Sequence, residues 1–383
     1  MNLRIGIIGC GAMTLGAYVP ALLSLPELYT VVALADPSVE RRELVGDALG
    51  LPRSARFASG HDVLTAAVDS VLIVTPPQVR AELAVAAASA GKNVLCEKPL
   101  ATTPADAARA VRAAADNGVC LGAAHNYLWF PEYAAARQVI ASGGIGDVET
   151  VQINALGVRD NAGAAGNGYN WRLDPGAGGG GVLMDMMHLV YVAEDLCGAP
   201  FRAVSGYVNA HRPGYHVETL ALCRFETDRN AALVNVGWGL GGGGATISGS
   251  AGRIDIRYSG GGTSPFSPLQ AVSVVTAAGT RVLPVTPRQD TVADVLADFA
   301  ASVAAGREPR ADGNAGLRTL EAVIATYSSA ARGCGVALPL DSADPVYRRG
   351  VAGLGQAPAS GRSPVVRKNL FRQSGTAKER LGS

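Results

Sequence analysis

Charge is what this chain has least of. Only 17% of its 383 residues are Asp, Glu, Lys or Arg, against about 25% in typical soluble domains. The 33 basic and 32 acidic side chains leave a formal net charge of +1. That balance excludes a highly charged disordered chain and argues against a nucleic-acid partner, whose footprint is a basic excess. Lysine is rarer still, standing only at 92, 98, 368 and 378. No Cys-x-x-Cys occurs; the six cysteines, at 10, 96, 120, 197, 223 and 334, are scattered singly. A zinc site or redox pair is therefore not expected, nor any other metal, and a reducing cytoplasmic compartment suits the thiols. A long apolar span is missing too. Ile5–Pro26 carries no charge over 22 residues, but glycines at 6, 9, 11 and 16 and Pro20 interrupt it. A strand, a tight turn and a helix read it better than a leader or membrane segment, so no membrane partner is expected.

What is present is apolar material, 48% of the chain, and a length that predicts two domains at roughly 100–200 residues each. Residues 1–125 alternate β-rich runs (Leu3–Ile8, Thr30–Ala35, Val71–Thr75, Asn93–Cys96, Cys120–Ala124) with Ala-rich helical ones such as Gln78–Ala90 and Pro104–Asn117. Thr103 is a natural N-cap and Gly118 a stop for the latter. Alternating β and α elements imply a parallel sheet covered on both faces, a doubly wound α/β domain. After His125 the pattern changes. A helix over Pro131–Ser142 is followed by long alternating segments, among them Val148–Leu156, Val217–Glu226 and Ala231–Trp238, and by a hairpin around Ala277-Ala278-Gly279. These predict an α+β domain with a large open antiparallel sheet over 126–344, closed by helices at Thr291–Ala305 and Ala315–Arg332. Residues 345–383, rich in Gly, Pro, Ser and Arg, read as a C-terminal arm.

Gly9-Cys10-Gly11-Ala12-Met13-Thr14 sits where the first strand turns into the first helix. A dinucleotide needs Gly9 for the tight turn and Gly11 for close approach of the backbone to its pyrophosphate, with helix N–H groups at Ala12 and Met13 facing the anion. Asp36 ends the second strand, 25 residues beyond Gly11. A carboxylate there can accept from ribose hydroxyls and repels a 2′-phosphate, which favours NAD; Arg41 and Arg42 close by keep NADP open. Thr75-Pro76-Pro77 and Cys96-Glu97-Lys98-Pro99 close two further strands at their carboxyl ends, where open α/β sheets bind ligands. In a chain that otherwise prefers Arg, Lys98 at such a place points to a need for a compact ammonium.

These motifs, with His125-Asn126-Tyr127, Trp171-Arg172 and the run Gly178–Gly181 leading to Asp185 and His188, recur in an order that resembles the glucose–fructose oxidoreductase/inositol dehydrogenase/MocA family over roughly residues 1–340. The resemblance implies an N-terminal Rossmann domain over 1–125 and an α+β domain behind it. It further implies NAD(P)-linked oxidation of a secondary alcohol of a sugar, cyclitol or similar polyol, or reduction of the ketone, by a homo-oligomer, dimer or tetramer, joined through the antiparallel sheet. It places Thr75, Pro76, Pro77, Glu97, Lys98 and Asn126 by the cofactor, and Lys98, Tyr127, Trp171, Arg172, Asp185 and His188 by the substrate. Two further readings fit the same family: a redox-neutral NAD-dependent glycosidase and a non-catalytic nucleotide-sensing regulator. Three features depart from the pattern. Thr14 replaces a small residue, Arg80 stands where many members have His, and Asp185 and His188 are three apart rather than four.

Asp185 and His188 are the polar residues of an otherwise apolar run, Val182–Val190, and burying such groups without purpose is expensive. On one helix an i,i+3 pair shares a face. Neutral imidazole, near pKa 6.5, suits the general base, so His188 takes that role, Lys98 orients the hydroxyl and steadies the alkoxide, and Asp185 orients the imidazole. Lys98 as base is the alternative. His61, His211 and His216 read as structural.

Overall fold

The computed structural model describes residues 2–159, 173–174, 180–210, 215, 217–239, 241–262, 267–288 and 290–356. They fall into two compact units: Met1–Ala134 with Thr286–Leu320, and Ala135–Val285 with the chain from Glu321 on.

The first unit is built on β1 (Leu3–Ile8), β2 (Tyr29–Ala35), β3 (Arg56–Phe57), β4 (Ser70–Ile73), β5 (Asn93–Cys96) and β6 (Leu121–Ala123), in the order β3-β2-β1-β4-β5-β6. Every pairing is parallel. Apart from Arg4, all of β1 is buried, which requires cover on both faces. That cover comes from α1 (Val19–Leu23), α2 (Val39–Ala48), α3 (Gly60–Thr65), α4 (Arg80–Ser89), α5 (Pro104–Asp116) and, from far along the chain, α9 (Val292–Ala305). The order reverses between β1 and β4, so the crevice at their carboxyl ends is the switch point where such sheets take ligands.

Residues 286–320, assigned by spacing to the second domain, pack in this first unit. The reason is a single apolar stripe: Val292, Val295, Leu296, Phe299 and Ala300 of α9 join Leu3, Ile5, Ile7, Leu34 and Leu72 in one core, and the Tyr29 hydroxyl donates to the Leu296 carbonyl at 2.6 Å.

Following α6 (Pro131–Ala141), the second unit carries β7 (Val148–Val158), α7 (Val182–Asp185), α8 (Met187–Cys197), β8 (Ala203–Asn209), β9 (Leu220–Glu226), β10 (Ala231–Trp238), β11 (Gly243–Gly249), β12 (Gly252–Tyr258), β13 (Leu269–Thr276) and β14 (Gly279–Leu283). Helix α10 (Gly313–Arg332) and strand β15 (Val336–Ala337) come later. The nine strands lie in the order β14-β13-β12-β11-β7-β10-β9-β8-β15. The sheet is mixed rather than wholly antiparallel, because β7 and β10 run parallel. A parallel pair needs a long crossover, here supplied by everything from α7 to β9. Alternation sets the faces: Ala221, Cys223 and Phe225 of β9 and Ala232, Val234 and Val236 of β10 are buried, while Leu222, Arg224 and Leu233 are exposed. Residues 345–356, placed with the arm on composition, hold α11 (Pro345–Arg349) with Val346 fully buried. The rest of that arm, 357–383, lies outside the described residues. Among the described residues no helix is long and apolar enough to cross a membrane.

Thr103 caps α5 as its position suggests: its Oγ1 accepts from the Asp106 N–H at 3.1 Å and donates to the Asp106 carboxylate at 2.8 Å. Thr103→Ala is expected to cost about 1 kcal/mol, read as a lower urea midpoint at unchanged slope. An unmoved midpoint would mean that packing alone holds the start of α5.

Candidate active site

Gly9 directly follows β1 with φ of 102°, and a Cβ there would come within 2.7 Å of the Val74 carbonyl oxygen. The first glycine is thus demanded by the closeness of β1 to β4 as well as by the turn. Nothing lies within 4 Å of where a Cβ on Gly11 would stand, so the surface a pyrophosphate needs is open. The helical turn begins there, with Gly11 accepting from Leu15 N–H at 3.0 Å, and Ala12 and Met13 occupy its exposed first positions. Thr14 is fully buried and donates to the Gly9 carbonyl at 2.6 Å, closing the turn with its side chain.

Asp36 is nearly buried at the end of β2. Its two oxygens accept from Cys10 N–H and Ser38 N–H, each at 2.8 Å, which ties the strand end to the glycine turn. Carboxylate oxygens keep further lone pairs for ribose hydroxyls. The Arg42 guanidinium donates to the Asp36 carbonyl at 2.6 Å, so a cation also stands at this corner.

The turns after β4 and β5 are joined by a residue that the sequence marked only as a departure. Arg80, 5% exposed, donates from Nε to the Thr75 carbonyl at 2.7 Å. Its Nη1 donates to the Glu97 and Pro99 carbonyls at 3.1 and 2.8 Å, on either side of Lys98. Glu97 works from within the unit: Oε1 accepts from the Tyr18 hydroxyl at 2.8 Å and Oε2 from Lys98 N–H at 2.9 Å. The Lys98–Pro99 peptide is cis. Lys98 is therefore held at three backbone points beside the Pro76-Pro77 turn. His125 is 1% exposed, and burial, reinforced by the Lys98 charge, pushes its imidazole down to about 3. Asn126 is tied to α9, donating from Nδ2 to Thr291 Oγ1 at 3.1 Å, while Tyr127 packs edge-on to Phe130.

In the second unit Trp171, Arg172, Gly178 and Gly179 lie outside the described residues. Asp185 ends α7 and His188 is the second residue of α8, with Met186 (φ −96°, ψ 20°) as a break between the two helices. The one-helix argument for their shared face therefore does not hold: the pair is set by the break. His188 is 7% exposed and Tyr191 5%. The sequence reading missed Glu218, which is fully buried. Its Oε2 accepts from Gly181 N–H at 2.8 Å, and its Oε1 accepts from Leu183 N–H and the Tyr327 hydroxyl, each at 2.9 Å. Burial pushes this carboxyl up to about 7. A lone acid before an apolar strand offers no signal in sequence; its partners are 35 and 109 residues away. Among the described residues no cluster of His, Cys, Asp and Glu could hold a metal ion.

Residues 3–125 match an oxidoreductase family with an NAD-binding Rossmann fold, and residues 133–255 match the GFO/IDH/MocA C-terminal domain. The chain belongs to the GFO/IDH/MocA family. A curated relative, levoglucosan dehydrogenase from Pseudarthrobacter phenanthrenivorans, is 29% identical over 225 residues, 55% of each chain. Another, 1,5-anhydro-D-fructose reductase from Ensifer adhaerens, is 28% identical over 319 residues, 79% of this chain and 89% of that one. An oxidoreductase from Agrobacterium radiobacter, solved with NAD+, L-tartaric acid and magnesium, has a TM-score of 0.78 at 20% identity, covering 88% of this chain and 98% of that one. It shares the fold. The chain spans about half the length of several curated relatives it matches, levoglucosan dehydrogenase among them. Within this family frame, Gly9, Gly11 and Asp36 gather at the ends of β1 and β2, and Lys98 stands among Arg80, Glu97 and His125.

The buried imidazole has a thermodynamic signature. His125 stays neutral in the folded protein between its ordinary 6.5 and about 3, while the unfolded chain takes up a proton there. Stability present above 6.5 is thus lost as pH falls through that window. His125→Gln should remove this loss, so its stability relative to the unaltered protein rises from about pH 7 to about pH 4 in urea titrations. A pH-independent difference would mean that the imidazole takes up its proton alike in the folded and unfolded protein.

Proposed function

We propose that this protein is an NAD(P)-dependent oxidoreductase that moves a hydride between nicotinamide and a secondary alcohol or ketone of a sugar, cyclitol or similar polyol. The observation that carries the reading is Lys98, the cation pinned by Arg80 and Glu97 at the ligand end of β5 in a nucleotide-binding sheet. The glycine turn and Asp36 fit the cofactor's pyrophosphate and adenosine ribose, with Thr75, Pro76, Pro77 and Asn126 lining the way to the reactive ring. When bound, nicotinamide supplies the hydride acceptor or donor. Lys98 orients the substrate hydroxyl and steadies the alkoxide as charge develops. His188 takes the hydroxyl proton and Asp185 orients the imidazole. Tyr127, Trp171 and Arg172 contact the remaining substrate oxygens.

Retention of Lys98, Asp185 and His188 favours an enzyme over a nucleotide-sensing regulator. The outward face of the nine-stranded sheet, with Tyr207, Leu222 and Leu233 exposed, supports a homo-oligomer formed through that face. Six unpaired cysteines suit a reducing, cytoplasmic setting.

Incubation with NAD and a panel of hexoses, pentoses, cyclitols and levoglucosan, and with NADH and 1,5-anhydro-D-fructose for the reverse direction, tests the reading by absorbance at the NADH band. Net NADH change is expected; turnover without it points to the redox-neutral glycosidase. His188→Asn should lower kcat by about 10²–10⁴ with NAD affinity nearly unchanged. Activity within a few-fold of normal would pass the base role to Lys98. Asp36→Ser should erode a preference for NAD over NADP, and tighter binding of NADP by the unaltered protein would remove the role given to Asp36.

A further inference from the structure

The proposed chemistry gives the buried carboxylate of Glu218 no step, yet Glu218 is built into the segment that carries two of the groups that have one. Its main-chain carbonyl accepts from Val182 N–H at 3.1 Å, between the two N–H groups, Gly181 and Leu183, that its side chain holds. Three consecutive N–H groups thus end on one residue. From there backbone hydrogen bonds run on through Met186 into α8. Gly181 accepts from Asp185 N–H at 3.1 Å, Val182 from Met186 N–H at 2.8 Å, and Met186 from Leu189 N–H at 2.9 Å, so His188 lies inside the last turn.

The glycines before this segment belong to the same device. A Cβ on Gly181 would collide with the Glu218 carbonyl oxygen, and one on Gly180 would come within 2.6 Å of the Tyr327 hydroxyl. Tyr327, fully buried on α10, donates to Oε1, the oxygen that also accepts from Leu183 N–H. Gly180 and Gly181 therefore allow the chain to pass close to Tyr327 and Glu218.

We propose that Glu218 is the positioning residue for Asp185 and His188, its three-point hold on residues 181–183 fixing where that segment starts, with Tyr327 fixing Glu218. A four-residue helix is too short to hold itself in water, and its orphan N–H groups need partners. Without the hold, the start of α7 frays and the imidazole is no longer kept to one place, and a displacement of about 1 Å can cost about 10²-fold in rate. The inference rests on the proposed roles of Asp185 and His188, and the test separates the two.

The test compares Glu218→Gln, Tyr327→Phe and His188→Asn in the full chain. In Glu218→Gln an amide N–H replaces one acceptor and opposes a backbone N–H. Hydrogen exchange at residues 181–189 should then quicken by about 10-fold or more while β1–β6 stay unchanged. On the best substrate of the panel, kcat should fall about 10- to 100-fold with KM and NADH affinity nearly constant. Tyr327→Phe keeps Glu218 and all three of its backbone partners, two on the carboxylate and one on the main-chain carbonyl, so its effects should have the same pattern and be smaller; it decides the matter should Glu218→Gln not fold. Unchanged exchange at 181–189, or quickening spread evenly through the second unit, overturns the proposal and leaves Glu218 as core. If His188→Asn abolishes turnover while Glu218→Gln leaves kcat intact, the inference fails and the functional reading stands. If His188→Asn is active but exchange responds as expected, the hold is real and the catalytic reading is what fails.

Discussion

Arg80 is the interaction on which the nucleotide-binding unit depends. A guanidinium removed from water costs several kcal/mol unless its N–H groups find acceptors. Here three carbonyls converge on it, those of Thr75, Glu97 and Pro99. Each belongs to a turn at the carboxyl end of a parallel strand, so one buried cation both satisfies itself and fastens together two loops that have no ladder between them. Glu97 completes the arrangement by spanning from Tyr18 to Lys98 N–H. The ammonium of Lys98 is then carried by a backbone that has little freedom left.

The second unit solves the same problem with the opposite charge. Glu218 collects N–H groups where Arg80 collects carbonyls, and in both places the candidate catalytic side chains are neighbours of the pinned backbone. Arg80 has the length and the donors to reach both turns. The Asp185–His188 spacing of three goes with a break at Met186 instead of a continuous helix. Thr14 works in the same way, its hydroxyl closing on Gly9.

Much was legible in the sequence because it is written locally. Period-two and helical patterns over the first 125 residues, Thr103 before Pro104, Gly9 and Gly11 after a clean strand, and a rare lysine at a strand end each act within a few residues of themselves. They determine the doubly wound sheet, the nucleotide turn and the candidate cation. What only the tertiary structure decided are pairings between distant segments. Helix α9 joins the first unit because its apolar stripe meets β1 and β2; β7 and β10 run parallel because the intervening chain crosses over; Arg80 and Glu218 matter because folding brings them acceptors and donors from elsewhere. Local pattern records what a residue prefers, whereas a buried charge is tolerable only where distant backbone groups converge on it, and that convergence exists only in three dimensions.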